Sequence, residues 1–359
     1  NGLIGINVYK PEPNTVHFDV GRTGVTDNRA DEYPDGDVAY TKSRLPIGYF
    51  TLKPKGTIQS SSLKLDIYNA KLSGKLVTSL GEITINAYVS ATLETIVINL
   101  SGTGKERTPD LTFVPQQSIS PRASRNPLGK PQGYVANPPV QYKKDGQYHI
   151  YHQSLSDNWG YATVYKKSGG QVLVSIGNDR SGDHDEVKEA KKHITAFEQD
   201  KDNYRKHQAW WHNFYQKMFI SLPDKRVETF YWAQLYKFAS ASREGKPMVD
   251  LMGPWMSSTP WAAIWWNLNT QLSYSPLFTS NHIELTRPLF ETLYKYRNNL
   301  RLNAPKAWQS QDVMTIETVT SYDLLRKVTE KDLASGKLEI GNLAWVLFHY
   351  YRYYLYTGD

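Results

Sequence analysis

Ile83-Thr84-Ile85-Asn86-Ala87 alternates apolar with polar side chains, the period of two that marks a strand with one face buried. Outward from it, Leu63, Leu65 and Ile67 repeat the alternation, whereas Ile96-Val97-Ile98 and Val172-Leu173-Val174 are continuous apolar runs. All are bounded by Gly, Ser, Asn or Thr. Residues 1–184 are therefore expected to form a β-sandwich domain. Within them Thr103 to Pro139, rich in Pro, Gly, Ser and Arg, reads as long loops, and Asn178-Asp179 and Ser181-Gly182 read as turns that close the strand region.

Beyond this region the period becomes helical. Val187, Ala190, Ile194 and Phe197 recur at helical spacing among charged residues, so residues 185–219 read either as a solvated helical linker leaving the sandwich or as a surface helix of it. Residues 220–359 carry three apolar faces: Val227, Phe230, Tyr231, Leu235 and Phe238; Leu285, Leu289, Leu293 and Tyr296; and Leu343, Val346, Leu347, Tyr350 and Tyr354. Helices joined by long aromatic loops predict an α/α toroid, and no repeat period is evident. Tryptophan divides the chain in the same way, since none of the 10 precedes Trp159.

Length and composition narrow the function. A chain of 359 residues exceeds what one core usually organises. The formal charge of +7 is dispersed, with Lys143-Lys144 beside Asp145 and Lys188, Lys191 and Lys192 beside Glu186 and Glu189, which describes a solvated surface and no nucleic-acid stripe. No apolar run approaches the roughly 18 residues that span a bilayer, so no membrane insertion is expected. The absence of cysteine removes disulfides and thiolate chemistry. His149 and His152 lack a third partner, so neither a metal nor another cofactor is expected. No phosphate-binding loop, nucleophile elbow or dinucleotide fingerprint occurs. The chain opens on Asn1 and stops after an aromatic helix, which reads as an internal fragment or a processed piece.

The chemistry concentrates in Asp250-Leu251-Met252-Gly253-Pro254-Trp255, Thr259-Pro260-Trp261 and Ile264-Trp265-Trp266-Asn267-Leu268-Asn269-Thr270-Gln271. Indole faces stack on the apolar faces of sugar rings, and interleaved amides supply paired donors and acceptors for ring hydroxyls. A carbohydrate pocket is the expectation, with Trp255, Trp261, Trp265, Trp266 and Gln271 touching substrate. The competing reading is that the tryptophans fill a core.

These residues, with Asn1-Gly2-Leu3-Ile4-Gly5, Leu65-Asp66-Ile67-Tyr68-Asn69-Ala70, Trp210-Trp211-His212-Asn213-Phe214 and the closing Tyr354-Leu355-Tyr356-Thr357-Gly358-Asp359, resemble glycoside hydrolase family 95, a group of inverting α-L-fucosidases and α-L-galactosidases. Asn267-Leu268-Asn269 is similar to that family's Asn-x-Asn motif. The resemblance implies a multidomain fold of β-sandwich, helical linker and the first half of an (α/α)6 barrel. It also implies an oligosaccharide or polysaccharide substrate. Asn267 and Asn269 would orient the attacking water, supported by an Asp beyond residue 359. The family's general acid falls on Arg352, and arginine donates no proton at neutral pH, so a substrate-binding role is expected for Arg352. Of Asp312, Glu317 and Glu339, which read as surface carboxylates, Glu317 is taken as the candidate acid. A carbohydrate-binding relative without catalysis is the alternative. A bacterial secreted or periplasmic location is expected.

Overall fold

The computed structural model describes residues 1–27, 42–125, 134–156, 158–179, 183–256, 259–335, 339 and 341–359. Among the described residues, twelve strands form two antiparallel sheets. The first has the order β1 (Ile4–Glu12), β2 (Thr15–Arg22), β3 (Gly48–Leu52), β8 (Leu111–Pro115). The second runs β4 (Ile58–Asp66), β5 (Lys71–Thr78), β6 (Gly81–Val89), β7 (Ile96–Gly102), β12 (Gln171–Asp179), β11 (Gly160–Ser168), β10 (Tyr148–Ser154), β9 (Gln141–Asp145). Their facing side chains, among them Phe18, Phe50, Leu76, Ile85, Ile98 and Val174, make one core.

The contrast between alternating and continuous runs has a direct cause. Ile96, Ile98, Val172 and Val174 point into the sandwich, while Val97 and Leu173 point the other way, under a helix. That helix, α2 (Glu186–Gln199), lays Ala190, Ile194 and Phe197 on Tyr88, Val97, Ile150 and Val164. A strand buried on both faces reads as continuously apolar. Of the two readings of this segment, α2 is thus a helix packed on the sheet, and its apolar stripe is not solvated.

Three details differ from the sequence reading. Leu111–Pro115 is a strand inside the stretch read as loops, and it also contains the short helix α1 (Pro121–Arg125). Its pattern, Leu111 and Phe113 inward, is too short to stand out among prolines. Asn178-Asp179 is the end of β12 rather than a turn, and Ser181-Gly182 lies outside the described residues. Leu65 is 48 % exposed, because β4 is an edge strand and four strands cannot cover eight.

The helical region comprises α3 (Asn203–Tyr215), α4 (Lys225–Ala241), α5 (Asn269–Tyr274), α6 (Pro276–Thr279), α7 (Arg287–Lys295), α8 (Arg297–Asn303), α9 (Lys306–Gln309), α10 (Glu330–Ser335) and α11 (Asn342–Thr357). A two-stranded ribbon, β13 (Ile264–Trp265) with β14 (Val319–Thr320), crosses it. Trp211, Phe214, Leu235, Trp266, Tyr274, Phe278 and Leu289 are at its centre. No described helix is long and apolar enough to cross a membrane.

The turn Asp66–Ala70 joins the two regions. Asp66 accepts from the Asn69 side chain at 2.8 Å, and Ala70 takes the left-handed conformation at φ 43°. The carbonyl and side chain of Asn69 are then presented to α3, where His207 Nε2 lies 2.9 Å from the carbonyl and His212 Nε2 3.0 Å from Oδ1. His207 Nδ1 accepts from the Ala91 N–H, so the ring is held on both sides and is neutral. Burial lowers its pKa to about 4.

Candidate active site

Asp250 organises the tryptophan loops. Its buried carboxylate accepts from Arg44 Nη1 at 2.8 Å and Tyr322 Oη at 2.7 Å through one oxygen, and from the N–H groups of Met252 and Gly253 at 2.9 and 2.8 Å through the other. The turn so closed needs Gly253 at φ +64°, where a Cβ would meet the Trp255 ring at 3.3 Å. Trp255 then stands, half-buried, between two cavities. One of about 490 Å³ lies between the sandwich and α4, and one of about 710 Å³ lies among α4, the 249–255 loop, α5 and α6.

The other three tryptophans divide by exposure. Trp261 is 46 % exposed and meets the partly buried Trp265 edge-on, ring centroids 4.7 Å apart. Trp266 is fully buried and its indole N–H donates to Thr320 Oγ1 at 2.9 Å. The expectation that Trp266 stacks on a sugar is therefore corrected: neither face is open, and its one donor is satisfied internally. Gln271 is corrected for the same reason, since it is fully buried with Nε2 directed to the Asn342 carbonyl at 3.5 Å.

The β13–β14 ribbon lies next to both parts of the candidate chemistry in sequence, since Asn267 follows β13 and Glu317 precedes β14. Ile264 pairs with Thr320 and Trp265 with Val319, and Trp266 N–H donates to the Thr318 carbonyl at 2.8 Å. Asn267 leaves the ribbon at φ +69°, a left-handed conformation that asparagine tolerates better than most residues. Its exposed side-chain amide donates to Glu339 Oε1 at 3.4 Å. Asn269, also exposed, opens α5 and its carbonyl accepts from Ser273 Oγ at 2.7 Å.

Glu317 is buried, which corrects its reading as a surface carboxylate. Burial raises its pKa, against the Arg326 charge and hydrogen bonds from the backbone of Thr318 and Glu339. Its Oε1 has no hydrogen-bond partner among the described residues. Asp312 is exposed and paired with Arg301 at 2.9 Å. Arg352, on α11, donates to Ser275 Oγ at 3.3 Å and lies 4.5 Å over the Phe278 ring. Ser275 follows the C-terminal end of α5, whereas Asn267 precedes its start, so Arg352 and the asparagine pair are held at opposite ends of that helix.

Glu339, read from the sequence as a surface carboxylate, is the residue that touches Asn267. No local pattern marks it, because the contact spans 72 residues of chain. Arg44, which anchors Asp250 across 206 residues, carries no sequence signal either. Two clusters of histidine and carboxylate lie elsewhere among the described residues: Glu94, Glu189 and His193, and Asp179, His184 and Glu186. The first is already bound by cations, with Arg22 3.0 Å from both glutamates and Lys246 on Glu94. In the second, Glu186 bonds His152 and Asp179 accepts from the His184 N–H.

Residues 192–359 match the glycosyl hydrolase family 95 catalytic domain. The helical part of the chain is thus similar to that catalytic domain. A solved structure described as a kojibiose phosphorylase from human microbiome shares the fold, with a TM-score of 0.60 at 12 % identity over 97 % of this chain and 51 % of that one. The chain therefore spans about half the length of that structure. No curated protein matches.

Proposed function

We propose that the protein removes a terminal α-L-fucosyl or α-L-galactosyl residue from glycans with inversion. The observation that supports this reading is Glu339, whose carboxylate accepts from the Asn267 amide at 3.4 Å and whose backbone N–H donates to Glu317, so that two residues distant in sequence adjoin one carboxylate-bearing residue. Inversion needs an acid on one face of the sugar and an activated water on the other. Glu317, with its pKa raised by burial, is the acid; Asn267 and Asn269 orient the water. An amide is a weak base, and the carboxylate bonded to Asn267, Glu339, supplies the basicity. Trp255, Trp261 and Trp265 stack on the sugar, and Arg352 contacts substrate remote from the bond cleaved. A secreted or periplasmic location suits an enzyme that meets polymeric glycans.

The resemblance also allows a second reading, in which the protein binds glycans without cleaving them, since it implies that a cation, Arg352, falls where that family carries its acid. Hydrolysis of aryl α-L-fucosides and α-L-galactosides by the full-length protein separates the two. The enzyme reading predicts turnover that falls by about 10²–10³-fold in Asn267→Ala. Glycan binding without turnover, together with activity gained in Arg352→Glu, would overturn it in favour of the second.

A further inference from the structure

The tryptophan loops are anchored from the sandwich, and we infer that Arg44 and the Gly5–Gly21 strand pair position the indole faces of Trp255 and Trp261 for the ligand. The role as ligand platform rests on the function proposed above; the anchoring does not. Arg44 reaches both loops at once. Its Nη1 donates to Asp250 Oδ2 at 2.8 Å and to the Gly253 carbonyl at 2.6 Å, and its backbone N–H donates to the Ala262 carbonyl at 2.6 Å. Ala262 follows Trp261, and Gly253 lies two residues before Trp255. One arginine therefore fixes the spacing between two ring-bearing segments.

The side chains of Arg44 and Asp250 are 0 % exposed, and Tyr322 donates to the same carboxylate oxygen. A buried ion pair is often no more stabilising than apolar residues of the same volume, so stability alone does not account for it. What it supplies is direction, because a bonded guanidinium fixes a carboxylate and a carbonyl in one plane.

The second anchor is steric. Gly5 and Gly21 face each other across β1 and β2. A Cβ at Gly21 would come within 2.3 Å of the Pro254 carbonyl oxygen, and one at Gly5 within 3.0 Å. The backbone just before Trp255 thus rests on bare strand backbone. A third contact bears on the other ring: Arg122 lies 5.1 Å over Trp261 and donates to the Pro260 carbonyl at 3.3 Å. All three come from the sandwich, which makes that domain part of the recognition site.

Fluorine NMR of the full-length protein labelled with 5-fluorotryptophan tests this, with the two resonances assigned through Trp255→Phe and Trp261→Phe. Gly21→Ala should shift the Trp255 line and leave that of Trp232 in place. Arg44→Lys should broaden or double both loop lines, and Tyr322→Phe should do so more weakly. With an aryl α-L-fucoside as probe, KM should rise about tenfold in Arg44→Lys while kcat changes less than threefold. Should Arg44→Lys not fold, Gly21→Ala and Tyr322→Phe carry the test. Unmoved Trp255 and Trp261 lines in folded variants would overturn the inference. Lines that move in a protein that neither binds nor cleaves the fucoside would support the anchoring and count against the proposed function instead.

Discussion

The sandwich and the helical region use the same kinds of residue and treat them differently. Phe50, on β3, is fully buried between Phe113 and Tyr165. Phe230, on α4, is 65 % exposed on the wall of a cavity. On α11 the buried positions are Asn342, Val346 and His349, while Leu347, Phe348, Tyr351, Tyr354 and Leu355 are open to solvent. Strand pairing brings a second sheet over an alternating face, so its pattern and its burial go together. Helical periodicity names a face but not what covers it.

This comparison makes graded predictions. The largest effect is expected in the sandwich: Phe50→Ala should lose about 3–5 kcal/mol in denaturant unfolding, through lost transfer energy and the cavity left behind. A loss below about 1 kcal/mol would mean that the two regions are equally open.

Next comes the joint between them. His207 titrates near 4 when folded against 6.5 ordinarily, so the unfolded chain binds the extra proton first as pH falls. Its contribution is full above about 6.5 and is lost on descending towards 4, about 3 kcal/mol over that window at about 1.4 kcal/mol per unit. Unfolding followed from pH 7 to 4 should show this slope, and His207→Gln should flatten it.

Smaller effects separate the tryptophans. Trp266→Phe should cost about 1–2 kcal/mol by orphaning Thr320 in the core, with sugar affinity nearly unchanged. Trp261→Ala should do the reverse, weakening glycan binding about tenfold while stability moves by less than about 0.5 kcal/mol. The smallest effect is expected for Phe230→Ala, within about 0.5 kcal/mol.

Period-two and continuous runs made the sandwich legible in the sequence, the latter reporting both faces of a strand at once. The strand Leu111–Pro115 was hidden by the prolines around it. In the helical region Leu285, Leu289 and Leu293 are buried as their spacing implies; on α4 Tyr231, Leu235 and Phe238 pack on the core while Val227 and Phe230 are exposed, and on α11 Leu343 and Val346 pack while Leu347, Tyr350 and Tyr354 are exposed. The Asn267–Asn269 pair and the tryptophan cluster were readable because they are local. Which tryptophan is core was not, since one rotation of the backbone decides between Trp265 and Trp266. Glu339 and Arg44 were invisible for a different reason: each acts across a long stretch of chain, and a single charged residue carries no pattern.

The central proposal, that Glu317 acts as the acid and Asn267 orients the attacking water, is tested most directly by proton NMR of the first anomer released from an aryl α-L-fucoside. The full-length protein would be followed beside Glu317→Gln. The account predicts that the inverted, β anomer appears first and that Glu317→Gln slows its release by at least about 10²-fold. Release of the α anomer first, or a Glu317→Gln rate equal to that of the unaltered protein, would contradict it.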